Sequence, residues 1–262
     1  MSMLRSLDNA KSGMDAGQFM LDVITNNLAN VNTTGFKGSR AVFQDLLYQT
    51  VNQAGAQSSS NSQLPTGLSV GSGSEAVSTE RLMTQGNQTQ TGNPYDLAIS
   101  GDGFFQILMP DGTTAYTRDG TFSLNSQGQL VTQSGYQVIP QITVPQTAIS
   151  VTISPTGIVD ANFPGQVVPQ QIGQLQLVNF INEPGLAALG GNLFQETAAS
   201  GSANAGNPGT NNLGTLNQSW LEASNVDTTT ELVDMITAQR SYEINSKGVK
   251  ASDEMLQDLT QL

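Results

Sequence analysis

The sequence predicts an α+β fold: paired coiled-coil-like helices at its two ends, extended arms, and an inserted antiparallel β domain. Three observations carry this. Apolar residues recur at steps of three and four near each end. The middle is rich in Val, Ile, Thr, Phe and Gln, broken at short intervals by turn sequences. Two polar stretches rich in Gly, Ser and Asn separate the helical patterns from that middle. The expected layout is a helix over 1–35, an arm over 36–73, a β domain over 74–199, a return arm over 200–226 and a helix over 227–262. The two helices would form one inner core domain.

In the first segment Met3, Leu7, Ala10, Met14, Leu21, Ile24, Leu28 and Val31 fall on one narrow stripe, interrupted only by Gly17. A narrow heptad stripe is the pattern of a coiled-coil seam. A single amphipathic helix lying on its own domain fits it as well. Gly17 would permit a close backbone approach, at a cost of about 1 kcal/mol in helix propensity. The last segment opens with Thr228 and Glu231, spaced as an S/T-x-x-E capping box. Leu232, Met235, Tyr242, Val249, Leu256 and Leu259 follow on a seven-residue repeat, with Ala238, Asn245 and Ser252 at intervening seam positions. Neither stripe is broad enough to hold a lone helix, because most helical stability comes from packing. The two ends therefore need each other, or copies of each other in neighbouring subunits.

Between them "PDGT" (Pro110–Thr113), "RDGT" (Arg118–Thr121) and "NSQG" (Asn125–Gly128) are turn sequences. Val151 and Ile153 alternate with Thr152 and Ser154, as expected of short strands with one wet face. "NQAGAQSSSNSQLPTGLSVGSGS" (Asn52–Ser74) and "SGSANAGNPGTNNLG" (Ser200–Gly214) have the composition of connectors or extended arms.

Composition excludes several kinds of chemistry. The 262 residues include no Cys and no His, which removes thiolate and imidazole metal sites, disulfides and His-based triads. Nine basic against twenty-one acidic residues give a net charge of −12, which argues against a nucleic-acid partner or adhesion to an anionic membrane. No apolar run approaches the ~20 residues needed to span a bilayer, so no membrane insertion is expected. Asp8 and Lys11 interrupt any apolar core of a secretory signal, so export would need another route. "GDGFF" (Gly101–Phe105) lacks the third glycine of a dinucleotide fingerprint and reads as a strand-entry turn. Asp102, Asp111 and Asp119 each precede a glycine and do not have EF-hand spacing. Glu75 and Glu80 show no sign of spanning a cleft as glycosidase carboxylates must. No catalytic residue, metal or cofactor is expected. A secreted β-rich adhesin or glycan-binding module, using Trp220, Tyr95 and Tyr136 for stacking, is the reading from a different class.

The stretch "NNLANVNTTGFKGSRAVFQDLLYQ" (Asn26–Gln49) resembles the N-terminal motif of bacterial flagellar rod and hook proteins. "GDGFFQI" with "AYTRDGTFSLNSQGQLV" (Ala115–Val131) resembles the start of their β domain, and Glu231–Leu262 resembles their C-terminal helix. Chain length, the long arm after "RAVFQDLLYQ" and the ending "RSYEINSK" are closest to the rod members, at the distal stretch of the shaft. A proximal rod or hook-type subunit is the nearest alternative. The resemblance implies a structural subunit that polymerises helically into a hollow drive shaft around an export channel, exported without a cleavable signal. The implied partners are further copies, other rod proteins, the hook protein and the surrounding ring or bushing proteins. It also implies a motif at the helix–arm junction, made of Asn26, Asn27, Asn30, Thr34, Gly35, Phe36 and Lys37.

Overall fold

The computed structural model describes residues 2–53, 55, 57–59, 62–63, 65–166 and 168–260. It has two helices and a β-rich middle, an α+β chain. The chain divides into two compact units, Met1–Leu28 with Ser39–Glu80 and Asp227–Leu262, and Ala29–Gly38 with Arg81–Val226.

The first unit holds both helices. α1 spans Ser2–Ala29 and α2 spans Thr228–Thr260. Val31, expected on the first helix, lies in the turns beyond its end. The region expected as the first arm is a ribbon of short strands. Ser39–Asp45 pairs with Ser74–Arg81, Gln49–Asn52 with Leu68–Val70, and Gln57–Ser59 with Ser62–Gln63. Phe19 of α1 meets Phe43 of the ribbon edge-to-face at 6.5 Å, the geometry the ring quadrupoles favour.

α2 starts one residue earlier than the expected box. Asp227 is the cap: its carboxylate accepts the Thr229 N–H (3.0 Å) and the Thr230 hydroxyl (3.1 Å), and its carbonyl accepts the Glu231 N–H (3.0 Å). Thr228 is the first helical residue. An ionised carboxylate at the positive end of a helix is a stronger acceptor than a hydroxyl, which accounts for the choice.

In the second unit a nine-stranded sheet carries the core. Phe104–Leu108 is its hub, pairing antiparallel with Thr114–Thr117, Gln137–Ile139 and Leu177–Asn179. Strand alternation sends Phe105 and Ile107 into the larger core with Leu97, Ile99 and Phe122, and Phe104 into a second cluster with Tyr116, Phe180 and Phe194. Gly101 (φ 108°) and Gly103 (φ 129°) turn the chain into this strand, as "GDGFF" suggests. The Asp111 carboxylate accepts the Thr113 N–H and that of Asp119 accepts the Thr121 N–H, so both acids are turn formers. The expected return arm carries strands Asn204–Gly206, Thr215–Gln218 and Trp220–Glu222. The last two pair with Leu97–Ser100 and Gln88–Gln90.

Two outcomes follow for α2. Gly248 is exposed mid-helix and an added Cβ would meet nothing within 4 Å. Gly248→Ala should therefore stabilise the helix by about 1 kcal/mol, read as a rise in thermal midpoint by far-UV circular dichroism. The Asp227 carboxyl is held below its usual value of 3.8, first by the Thr229 N–H and then by the Thr230 hydroxyl. A depressed acid contributes stability above its unfolded value and loses it as pH falls through the folded one. The midpoint advantage of the native chain over Asp227→Ala should shrink progressively below pH 3.8.

Candidate assembly interface

Within the second unit, three stretches distant in sequence converge on buried charge. Lys37 and Glu222 each expose only 1% of their side chains. The Lys37 ammonium donates to Glu222 Oε1 at 2.6 Å and to the Thr84 carbonyl at 2.8 Å. The same carboxylate oxygen accepts the Gly86 N–H at 2.9 Å. Arg118 Nε approaches Glu222 Oε2 at 3.5 Å, while its terminal nitrogens donate to the carbonyls of Gly103 and Gly101. Its guanidinium also lies 5.6 Å from the centre of the Phe104 ring. Burial lowers the Lys37 pKa, Arg118 lowers it further, and Glu222 pulls the other way. Burial likewise raises the Glu183 carboxyl, against the attraction of Arg118.

Backbone bonds close the junction. Gly35 donates its N–H to the Glu222 carbonyl at 2.8 Å. Gly35 has φ 67°, and a Cβ there would lie 2.6 Å from the Asp119 nitrogen, so both conformation and space require glycine. Thr34 donates its hydroxyl to Asp119, and its carbonyl accepts from Asn192. Asn225 accepts the Gly38 N–H at 2.8 Å and donates to the carbonyls of Leu82 and Thr84. Phe36 is half-buried, and its carbonyl accepts the Asn225 N–H at 3.4 Å.

Within the first unit Asn27, 3% exposed, plays the corresponding part. Its amide exchanges bonds with the Ser39 backbone, Nδ2 to O at 2.8 Å and N to Oδ1 at 2.9 Å, as a strand neighbour would. The same Nδ2 reaches Glu231 Oε1 at 2.9 Å, tying α1 to α2. The Glu231 pKa is raised, chiefly by burial, with the Asn27 bond opposing. Glu231 is thus used across the helix pair rather than at its own helix start. Asn26 is exposed, and Asn30 accepts the Thr33 hydroxyl and N–H.

The helices touch elsewhere through small and polar residues. Ser6 and Ser252 hydroxyls are 3.4 Å apart. A Cβ on Gly13 would lie 2.5 Å from the Asn245 amide, and one on Gly17 would meet Tyr242 at 3.6 Å. Ala238 and Ser252 are buried on α2, and Ile24 on α1. Leu7, Ala10, Met14, Leu21 and Leu28 are half-buried, as are Val31, Met235 and Val249. Leu232 and Tyr242 are 47% and 40% exposed. The side chains of Leu256 and Leu259 lie outside the described residues.

Glu75 and Glu80 engage Gln44 and Arg40 on the ribbon surface. Tyr95 and Tyr136 pack against the larger core, and Trp220 is half-buried. Among the described residues no group of three or more His, Cys, Asp or Glu could hold a metal, and no helix is long and apolar enough to cross a membrane.

Three family profiles match the chain: "Flagella basal body rod protein" over 7–37, "Flagellar hook protein FlgE/F/G D1 domain" over 98–161 and "Flagellar basal body rod FlgEFG protein C-terminal" over 217–262. The chain is 54% identical to the flagellar basal-body rod protein FlgG of Buchnera aphidicola subsp. Schizaphis graminum, over 99% of this chain and 100% of that one. It is 54% identical to the FlgG of Caulobacter vibrioides, over 99% of each chain. With the FlgG of Borreliella burgdorferi it shares 50%, over 97% of each.

The buried charges should respond unequally to mutation. Glu222→Ala strands two buried cations and should cost about 3–5 kcal/mol in urea unfolding. Lys37→Met should cost less, because Glu222 keeps Gly86 and Arg118. Arg40→Ala, whose ion pair with Glu80 is 64% and 40% exposed, should cost at most about 1 kcal/mol.

Proposed function

Since the chain belongs to the FlgG family of flagellar basal-body rod proteins and is a structural subunit of the distal rod, we propose that its two terminal helices form the inner, coiled-coil-like layer of the polymer. The arms would make an intermediate layer packed against neighbouring copies, and the β domain would face outward. Torque then passes through stacked subunits around an export channel. The partners at the ends and circumference of this stack would be other rod proteins, the hook protein and the ring or bushing proteins. No catalytic role is assigned.

The observation that carries this reading is the way α1 meets α2. Gly13, Gly17 and Asn27 take the direct contacts, while Leu7, Met14, Leu21 and Leu28 stay half-open at heptad spacing on the adjoining stripe. Half-open leucines contribute their remaining burial only when another surface covers them, at about 25 cal/mol per Å² of apolar area. Helices of this kind gain stability on assembly. A subunit contact that does not close into a ring generates a helical filament.

Leu28→Asp should abolish polymerisation while leaving the thermal unfolding of the β unit unchanged, because the new carboxylate would be desolvated in the assembled layer. Polymers formed normally by that variant, seen by electron microscopy, would refute the assignment of this stripe. In dilute native monomer, limited proteolysis should remove both helices before it cuts the β unit.

A further inference from the structure

The helix pair also carries two charged faces that make no ion pair among the described residues. α1 and α2 run antiparallel, because Ser6 meets Ser252, Gly13 lies beside Asn245, and Asn27 reaches Glu231. A residue two places beyond a contact position stands about 200° round the helix, on the face turned away from the partner. On α1 those positions are Asp8, Asp15 and Asp22, seven residues apart and all exposed. On α2 they are Arg240, Lys247 and Glu254, also seven apart and exposed, with exposed Val233 a further step of seven before Arg240 and Ile236 and Ile244 beside them. Lys11 lies on the acidic face, and Glu243 and Lys250 flank the basic ladder that Glu254 ends, so with all of these counted each face still keeps an excess of its own sign. The ion pairs among the described residues are Lys37–Glu222, Arg40–Glu80 and Arg118–Glu222, and none involves these two faces.

We propose that the acidic outer face of α1 in one copy docks on the basic, apolar outer face of α2 in the next copy, pairing Asp8 with Lys247 and Asp15 with Arg240. Three features favour a second copy as the occupant. The charges are complementary, which sets register and suppresses wrong partners. Both ladders have the same seven-residue pitch, about 10.5 Å along a helix. The levels also match: the contacts within the chain place Asp8 and Asp15 within about one turn of the heights of Lys247 and Arg240. Copies side by side in one orientation, with little axial shift, therefore bring the ladders together. In such copies α1 of one runs antiparallel to α2 of the next, as within a copy. Each copy keeps one face of each kind free, so the contact is heterologous and propagates. The proposal rests on the self-assembly reading above.

The test uses the full chain. Asp15→Lys and Arg240→Asp should each raise the critical concentration for polymerisation about tenfold, and the double reversal should bring it back to within about threefold of native. Far-UV circular dichroism of each variant establishes that the helices are intact. A second measurement uses the absence of native cysteine: polymer of a chain with Asp15→Cys and Arg240→Cys should give a ladder of disulfide-linked multimers on oxidation. Native chain that stays monomeric at every concentration would overturn the self-assembly reading, and this contact with it. Single reversals that polymerise as readily as native chain, a double reversal without rescue, or polymer without a crosslinked ladder would overturn this contact alone. Single reversals that leave self-assembly intact yet halt rod building in cells would assign the faces to a different rod component and overturn contact between copies.

Discussion

A single ammonium–carboxylate contact organises the β unit. Lys37 follows the end of α1 in sequence, and Glu222 closes the last strand of the chain. Bringing both out of water costs several kcal/mol per ion, so the pair is weak evidence for stability by itself. What it supplies is a condition. Lys37 has no carboxylate until Trp220–Glu222 has paired with Gln88–Gln90, and Glu222 Oε1 has no ammonium until Thr34–Gly38 is in place. Neighbouring bonds repeat the condition in neutral form, with Gly35 donating to the Glu222 carbonyl and Asn225 accepting from Gly38. The segments that lead out of the unit toward both terminal helices are fixed together.

The helix pair follows a different logic. Its direct contacts use glycine, serine, alanine and asparagine, which allow close approach and bury little apolar area. Leu7, Leu21 and Leu28 are left half-open. In the proposed polymer a pair built this way, weak alone, would gain from its neighbours. The low charge density of the chain, 11% of residues, fits large shared surfaces where stray charges would be costly to bury.

Much of this was legible in sequence because it is local. Heptad steps located both helices, and Gly-x-Gly with the Asp-Gly pairs located turns that the backbone adopts. Periodicity does not say which of two adjacent stripes meets a partner: positions 6, 13, 20 and 27 have the same spacing as 7, 14, 21 and 28. Among the amides of the stretch from Asn26 to Lys37 and of the segment before α2, Asn27 and Asn225 serve as backbone substitutes. Glu222 and Arg118 gave no such signal. Glu222 lies 185 residues from Lys37, and a charged residue in a strand reads as solvent-facing until the fold buries it. The helix cap moved from Thr228 to Asp227 because the two are neighbours and the carboxylate is the better acceptor.

In the proposed assembly the β unit would hold its entry and exit strands beforehand, and the helices would become fully ordered only in the polymer. Amide hydrogen exchange on the full-length chain, compared between dilute monomer and polymer, tests this directly. The Gly35, Gly38, Leu82 and Ala223 amides should be protected in both states. Amides along α1 and α2 should gain strong protection only in the polymer. Helices protected to the level of the β unit in dilute monomer, or Gly35 and Gly38 exchanging like open loops, would contradict it.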